Sequence, residues 1–197
     1  MSLLSISITL FLIMDSVGTI TDFLALIKEI PLKRQRWVIL REMLTALVIM
    51  TFFYYFGSFL LDSLDVNTAT VQIAGGLVLF LIAIKMIFPE EKRLYGAIDK
   101  GEPFIVPIAT PMIAGPSILA TVMFYAYHEA TPFRVLMGIL IAWTFSASIF
   151  WFAFEFHKQI SQKALNALER LMGLILTLMA VEMFLKGLRS FISTQGG

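Results

Sequence analysis

Met14-Asp15-Ser16-Val17-Gly18-Thr19-Ile20-Thr21-Asp22 and Pro107-Ile108-Ala109-Thr110-Pro111-Met112-Ile113-Ala114-Gly115-Pro116-Ser117 are the two stretches on which the fold turns. Each lies inside an apolar run long enough to cross a bilayer, and each is poorly suited to a continuous helix. Proline removes a backbone donor and collides with the preceding turn, and glycine admits unusual backbone angles. Irregular backbone at membrane depth survives only where protein buries it or where it lines a polar cavity. Two interrupted segments at matching places in two halves of a chain are a sequence pointer to a transporter binding site.

Working outward, six apolar runs reach the ~20 residues that a ~30 Å hydrocarbon core requires. They span roughly 2–27, 37–61, 67–88, 103–127, 133–156 and 164–190. Charged residues with proline and glycine separate them, as in Lys28-Glu29-Ile30-Pro31 and Pro89-Glu90-Glu91-Lys92-Arg93. Of the 197 residues, 58% are hydrophobic and 15% charged, and mean hydropathy is +0.85. That is too little charge to coat a water-soluble domain. A net charge of +1 gives no field for nucleic acid, and the absence of cysteine excludes disulfides and thiolate metal sites. The start of the chain reads as a retained first span and not a processed signal, because no Lys or Arg precedes the apolar run and Asp15 interrupts it.

Basic residues gather on one side. The first, third and fifth connections carry Lys28, Lys33, Arg34, Arg36, Lys92, Arg93, Lys100, Lys158 and Lys163, against Arg134, Lys186 and Arg189 opposite. The bias of Lys and Arg toward the cytoplasm then predicts a multi-pass protein of the cytoplasmic membrane with both termini extracytoplasmic.

A shift of 97 residues lays Gly76, Leu77, Leu79, Leu81, Ala83 and Met86 on Gly173, Leu174, Leu176, Leu178, Ala180 and Met183. The same shift lays Val38 on Val135, Phe53 on Phe150 and Gly18 on Gly115. One ungapped shift matches all three pairs of spans. Three spans per half forces the halves to enter the membrane in opposite directions. The expected fold is an all-α membrane protein: one transmembrane domain over 1–197, of six helices in two inverted three-helix repeats (1–91 and 102–190), with the first and fourth helices broken.

A broken helix exposes N–H groups and partial positive charge at one end and carbonyls at the other. These suit a carboxylate and a cation or ammonium group respectively, so a small zwitterion could be held at both ends. The candidate substrate residues are Asp15, Ser16, Gly18, Thr19, Pro111, Ala114, Gly115, Pro116 and Ser117. Asp15 carries the most information. A carboxylate inside an apolar run costs about 2.5–3.5 kcal/mol on insertion scales and tends to face a cavity or a partner. Asp15 and Asp22 are the candidates for coupling to H+ or Na+. The plainer readings are a proline kink without a ligand and an Asp15 near the outer surface. Arg41 and Glu42 read as interfacial, Lys85 and Glu182 as snorkelling, and Gly75-Gly76 and Gly173 as close helix contacts. No metal site, nucleotide loop or Ser-His-Asp arrangement is evident, and only Asp15 with Asp22 could serve as a catalytic pair. The chain is therefore not read as an enzyme, and no cofactor is expected.

Gln72-Ile73-Ala74-Gly75-Gly76-Leu77, the run Phe104 to Pro116, Arg170-Leu171-Met172-Gly173 and Asp15-Ser16-Val17-Gly18 together resemble the MarC family of small bacterial and archaeal membrane proteins. The resemblance implies six spans in two inverted repeats and, for some members, transport of glycine, alanine and other small neutral amino acids. Where that family usually places proline after the acidic residue this chain has Ser16, so the first break is not forced by a missing N–H. The expected partners are the lipid bilayer and a small neutral amino acid, with room for a homo-oligomer. The leading function is a secondary transporter working by alternating access. The alternatives are a metabolite exporter or channel-like pathway of the same fold, and a membrane assembly protein that transports nothing.

Overall fold

The computed structural model describes residues 2–28, 30–88, 113–129, 131–156 and 161–195. Those residues form seven helices: α1 (Leu3–Met14), α2 (Ile20–Lys28), α3 (Leu32–Ser63), α4 (Thr68–Ile87), α5 (Pro116–His128), α6 (Pro132–Phe156) and α7 (Gln162–Gln195). No strand occurs among the described residues. Four helices are long and apolar enough to cross a bilayer, over Lys33–Ser63, Thr68–Ile87, Pro132–Phe156 and Lys163–Ser193. α1 and α5 are apolar but hold 12 and 13 residues, too few to cross alone.

Local chemistry sets the helix ends. The Ser2 hydroxyl accepts from the Ser5 N–H at 3.2 Å, and the Asn67 side chain accepts from the Ala69 N–H at 2.9 Å. Each satisfies a first-turn donor that would otherwise lack a partner. Between α3 and α4 the chain turns through Asp65 at φ 53, and the Val66 N–H donates back to the Leu61 carbonyl at 2.9 Å. The Gln35 amide of α3 donates to the carbonyls of Ile27 and Ile30 at 3.0 and 2.9 Å, tying off the end of α2.

Only 28–33% of each crossing window is buried, although the windows are apolar throughout. On α3 the exposed residues include Trp37, Leu44, Val48, Phe52, Phe56 and Phe59, a stripe at helical spacing. Apolar surface on that scale suits hydrocarbon and not water. α3 holds 32 residues, ~48 Å of helix, so its ends project beyond a ~30 Å core.

α7 packs chiefly on α4. A β-carbon on Gly76 would lie 2.9 Å from the Phe184 nitrogen and 3.0 Å from the Ala180 carbonyl oxygen. One on Gly173 would lie 3.1 Å from the Ala83 carbonyl oxygen and 3.0 Å from Ile87 Cγ1. Gly187 in turn faces the Ala69 carbonyl at 3.0 Å. Rising numbers on α4 thus meet falling numbers on α7, and the two helices run antiparallel. The small residues let the backbones approach closely, which is how helices associate where no hydrophobic drive separates protein from solvent. The contacts are also reciprocal: Gly76 touches 180 and 184, and Gly173 touches 83 and 87, each pair being the other displaced by 97.

The remaining helices cross-pack. α1 lies on α6, and α5 lies on α3 and α4. Gly138 of α6 admits Ile6 of α1, Phe23 of α2 packs on Phe150 of α6 with ring centres 4.5 Å apart, and the Trp143 indole donates to the Met43 carbonyl of α3 at 2.8 Å.

Candidate functional site at the interrupted helices

The first break is built by Asp15. It adopts the left-handed conformation, φ 45 and ψ 41, and its N–H donates to the Leu12 carbonyl, which ends α1. Non-glycine residues pay for this conformation, and aspartate pays less than most because its short side chain can bond locally. Here Asp15 Oδ1 accepts from the Gly18 N–H at 3.2 Å. The Asp15 carbonyl accepts from both the N–H and the hydroxyl of Thr19, at 3.1 and 2.9 Å, and α2 then begins at Ile20. No proline is needed. The left-handed residue and its side-chain bond stop the helix that Ser16 alone would not.

Asp15 is 4% exposed and Ser16 1% exposed, so protein encloses both side chains. Among the described residues Asp15 Oδ2 and Ser16 Oγ have no hydrogen-bond partner. A buried polar atom left unbonded costs about 1–3 kcal/mol, more when charged. The fold therefore holds a destabilising feature at this point, of the kind a ligand relieves. The Thr19 hydroxyl donates within the turn, to the Asp15 carbonyl.

Of the second expected break, the described residues hold only Ile113 onward, into α5. Gly115 is extended, φ −76 and ψ 169, and Pro116 opens α5 at a position where its missing N–H costs nothing. Ala114, Gly115 and Ser117 are buried and Pro116 is exposed. Thr121 donates to the Ser117 carbonyl at 2.9 Å and to Met183 Sδ at 3.8 Å. Pro111, with Pro107 and Thr110, lies outside the described residues. Ile13 and Met14 beside one break and Ile113 and Ala114 beside the other belong to one buried cluster. α1 and α5 touch, and Tyr125 and Thr9 share a side-chain hydrogen bond between them.

One residue escaped the sequence reading. Glu169 of α7, partly buried, interacts electrostatically with both Asp15 and Asp22. The Thr21 hydroxyl has no partner at hydrogen-bond distance, though Glu169 is close enough to interact with it. The 97-residue shift pairs Glu169 with Gln72, so the repeat offered no hint of a carboxylate. Glu42 is 0% exposed, and one of its oxygens accepts from Arg41 Nε and Nη2 at 2.9 and 2.7 Å, with the guanidinium 4.9 Å from the centre of the Trp37 ring. Among the described residues no group of three or more His, Cys, Asp or Glu side chains is placed to hold a metal ion.

The family model for MarC family integral membrane proteins matches residues 1–192. The chain belongs to the MarC family. Among its relatives, a UPF0056 membrane protein of Buchnera aphidicola from Schizaphis graminum is 44% identical over 190 residues, 96% of this chain and 97% of that one. The UPF0056 inner membrane protein YhgN of Escherichia coli K12 is 41% identical over 192 residues, covering 96% and 98%. A UPF0056 membrane protein of Chlamydia pneumoniae is 35% identical over 188 residues, covering 94% and 93%. No solved structure matches. Membership in the MarC family makes the chain an integral membrane protein, in agreement with its four long apolar helices. The relatives' names place them in membranes and specify no substrate. Within this MarC chain the first helix break forms with serine after the acidic residue.

Proposed function

We propose that this MarC protein is a secondary transporter of small neutral amino acids such as glycine and alanine, working by alternating access in the cytoplasmic membrane. The observation that carries the reading is Asp15: a carboxylate buried at a helix break inside an apolar segment, with one oxygen unbonded among the described residues. The substrate ammonium is held at Asp15 with Ser16 and the α1 carbonyl end. The substrate carboxylate is held at the N-terminus of α5, by Gly115 and Ser117, with Ala114 shaping the approach. Asp15 and Asp22, with Glu169 acting on each of them, are the groups through which H+ or Na+ is coupled. The short helices α1 and α2 together make the first span, and α5 completes the fourth, giving six spans in two inverted repeats. The reciprocal packing of Gly76 and Gly173 supports that symmetry, because a two-fold axis in the membrane plane exchanges equivalent contacts between antiparallel helices.

Purified protein in liposomes should accumulate labelled alanine or glycine under a proton or sodium gradient. Before that, a panel of amino acids should raise the melting temperature of the detergent-solubilised protein, since a ligand of the folded state stabilises it by mass action. A panel without any thermal shift, together with no gradient-driven uptake, would sink the proposal and favour an assembly role. Uptake without a gradient requirement would instead indicate a channel-like pathway.

A further inference from the structure

The Met86 methyl of α4 lies on the Gly18 α-carbon, in the space a β-carbon would occupy. Both Asp15 carboxylate oxygens reach the same place, 2.6 and 2.7 Å from it. Met86 is itself buried. A thioether methyl is thus packed beside a buried carboxylate whose Oδ2 has no hydrogen-bond partner among the described residues. The methyl excludes water from that oxygen and gives it no bond. Methionine is unbranched, turns about three bonds and repacks at low cost. Gly18 is needed here because any larger residue would push against both groups at once.

We propose that Met86 is the specificity-determining side chain of the site: its methyl occupies the volume over Asp15 and Gly18 and limits the size of the cationic ligand that enters there. This rests on the reading of Asp15 as the ammonium site. A ligand must displace the methyl to reach Oδ2, and the room left beside a displaced methionine admits a small side chain and rejects a large one. Met183, its counterpart under the 97-residue shift, lies instead against Gly75 and Ala120, and its sulfur accepts from Thr121. It therefore serves as a control position for the same substitution.

The test has two arms. In liposomes the wild type should take up glycine and alanine and exclude leucine. Met86→Ala should raise leucine uptake about tenfold or more, the range that a methylene-sized change in a pocket produces. Met183→Ala should leave the size range unchanged. An identical substrate range for Met86→Ala and the wild type would overturn the inference. The second arm does not depend on transport. The chain has no cysteine, so Met86→Cys is a single reactive thiol. At alkaline pH, where Asp15 is ionised, a cationic methanethiosulfonate reagent should label it roughly tenfold faster than an anionic one of equal size, because a nearby carboxylate concentrates cations. Adding Asp15→Asn should abolish that preference. Equal rates in the presence of Asp15, or no labelling, would refute the placement of Met86 at an ion-accessible carboxylate. A wild type that takes up no amino acid removes the transport reading, while the labelling arm still decides the placement of Met86.

Discussion

At the scale of single residues, Asp15 has two separable duties. Oδ1 holds the Gly18 N–H and so shapes the break, while Oδ2 is unbonded among the described residues. Asp15→Asn keeps an acceptor for Gly18 and removes the charge. A hydrogen bond to a charged group is worth about 1.5–3 kcal/mol, so amino acid affinity should fall roughly ten- to a hundredfold. The ligand-free variant should melt at the same temperature as the wild type or above it, because an amide costs less to bury than an ionisable carboxylate. Thermal-shift titrations of both proteins measure the two effects together, and a large loss of stability without loss of affinity would contradict the assignment. Gly18→Ala brings a methyl against Met86 and the Asp15 carboxylate. Overpacking of this kind costs about 1–3 kcal/mol. Combining it with Met86→Ala should recover part of that loss, so that the pair is less than additive in a double-mutant cycle.

At the scale of elements, the α4–α7 pair and the α2–α3 corner bear most on the site. Gly76 and Gly173 each face backbone atoms of the opposite helix at about 3 Å, and backbone cannot rotate away as a side chain can. Gly76→Leu or Gly173→Leu should therefore force the helices apart and destabilise the protein by more than the ~1–3 kcal/mol of ordinary overpacking, which unfolding in detergent would show. A variant as stable as the wild type would mean the two helices do not meet there. Gln35→Ala removes the side chain that joins the Ile27 and Ile30 carbonyls to α3. Loss of two neutral hydrogen bonds at about 0.5–1.5 kcal/mol each should lower stability by roughly 1–3 kcal/mol and loosen α2, on which Thr21 and Asp22 sit. Amide exchange along α2 would report that loosening, and unchanged exchange there would assign the cap no role.

At the scale of the whole molecule, orientation in the membrane follows from where the basic residues cluster. In the cysteine-free chain, Ser2→Cys and Asp65→Cys should react with an impermeant thiol reagent added to intact cells, and Lys33→Cys and Lys163→Cys only after permeabilisation. The reverse pattern would invert the topology. The same experiment bears on the inverted repeat, because Lys33 and Arg134, 101 residues apart by number and at the heads of α3 and α6, must lie on opposite sides if the halves enter in opposite directions.

Membership of a membrane class, the long apolar helices, the MarC resemblance and the existence of a first break were all legible in the sequence. They depend on composition, on runs of apolar residues and on local residues such as Asp15, Gly18 and Gly115, and each of these acts over one or two helical turns. The break also formed where the expected proline was missing, since the left-handed state of Asp15 is likewise a local property. Three features were decided only by the tertiary structure. Glu169 acts electrostatically on Asp15 and Asp22 from a helix 147 residues or more along the chain, Met86 reaches Gly18, and Glu42 is wholly enclosed although its helix begins among charges. Burial and side-chain neighbours depend on which faces of distant helices come together. In a chain whose lipid-facing and core-facing residues are equally apolar, hydropathy carries no trace of that choice.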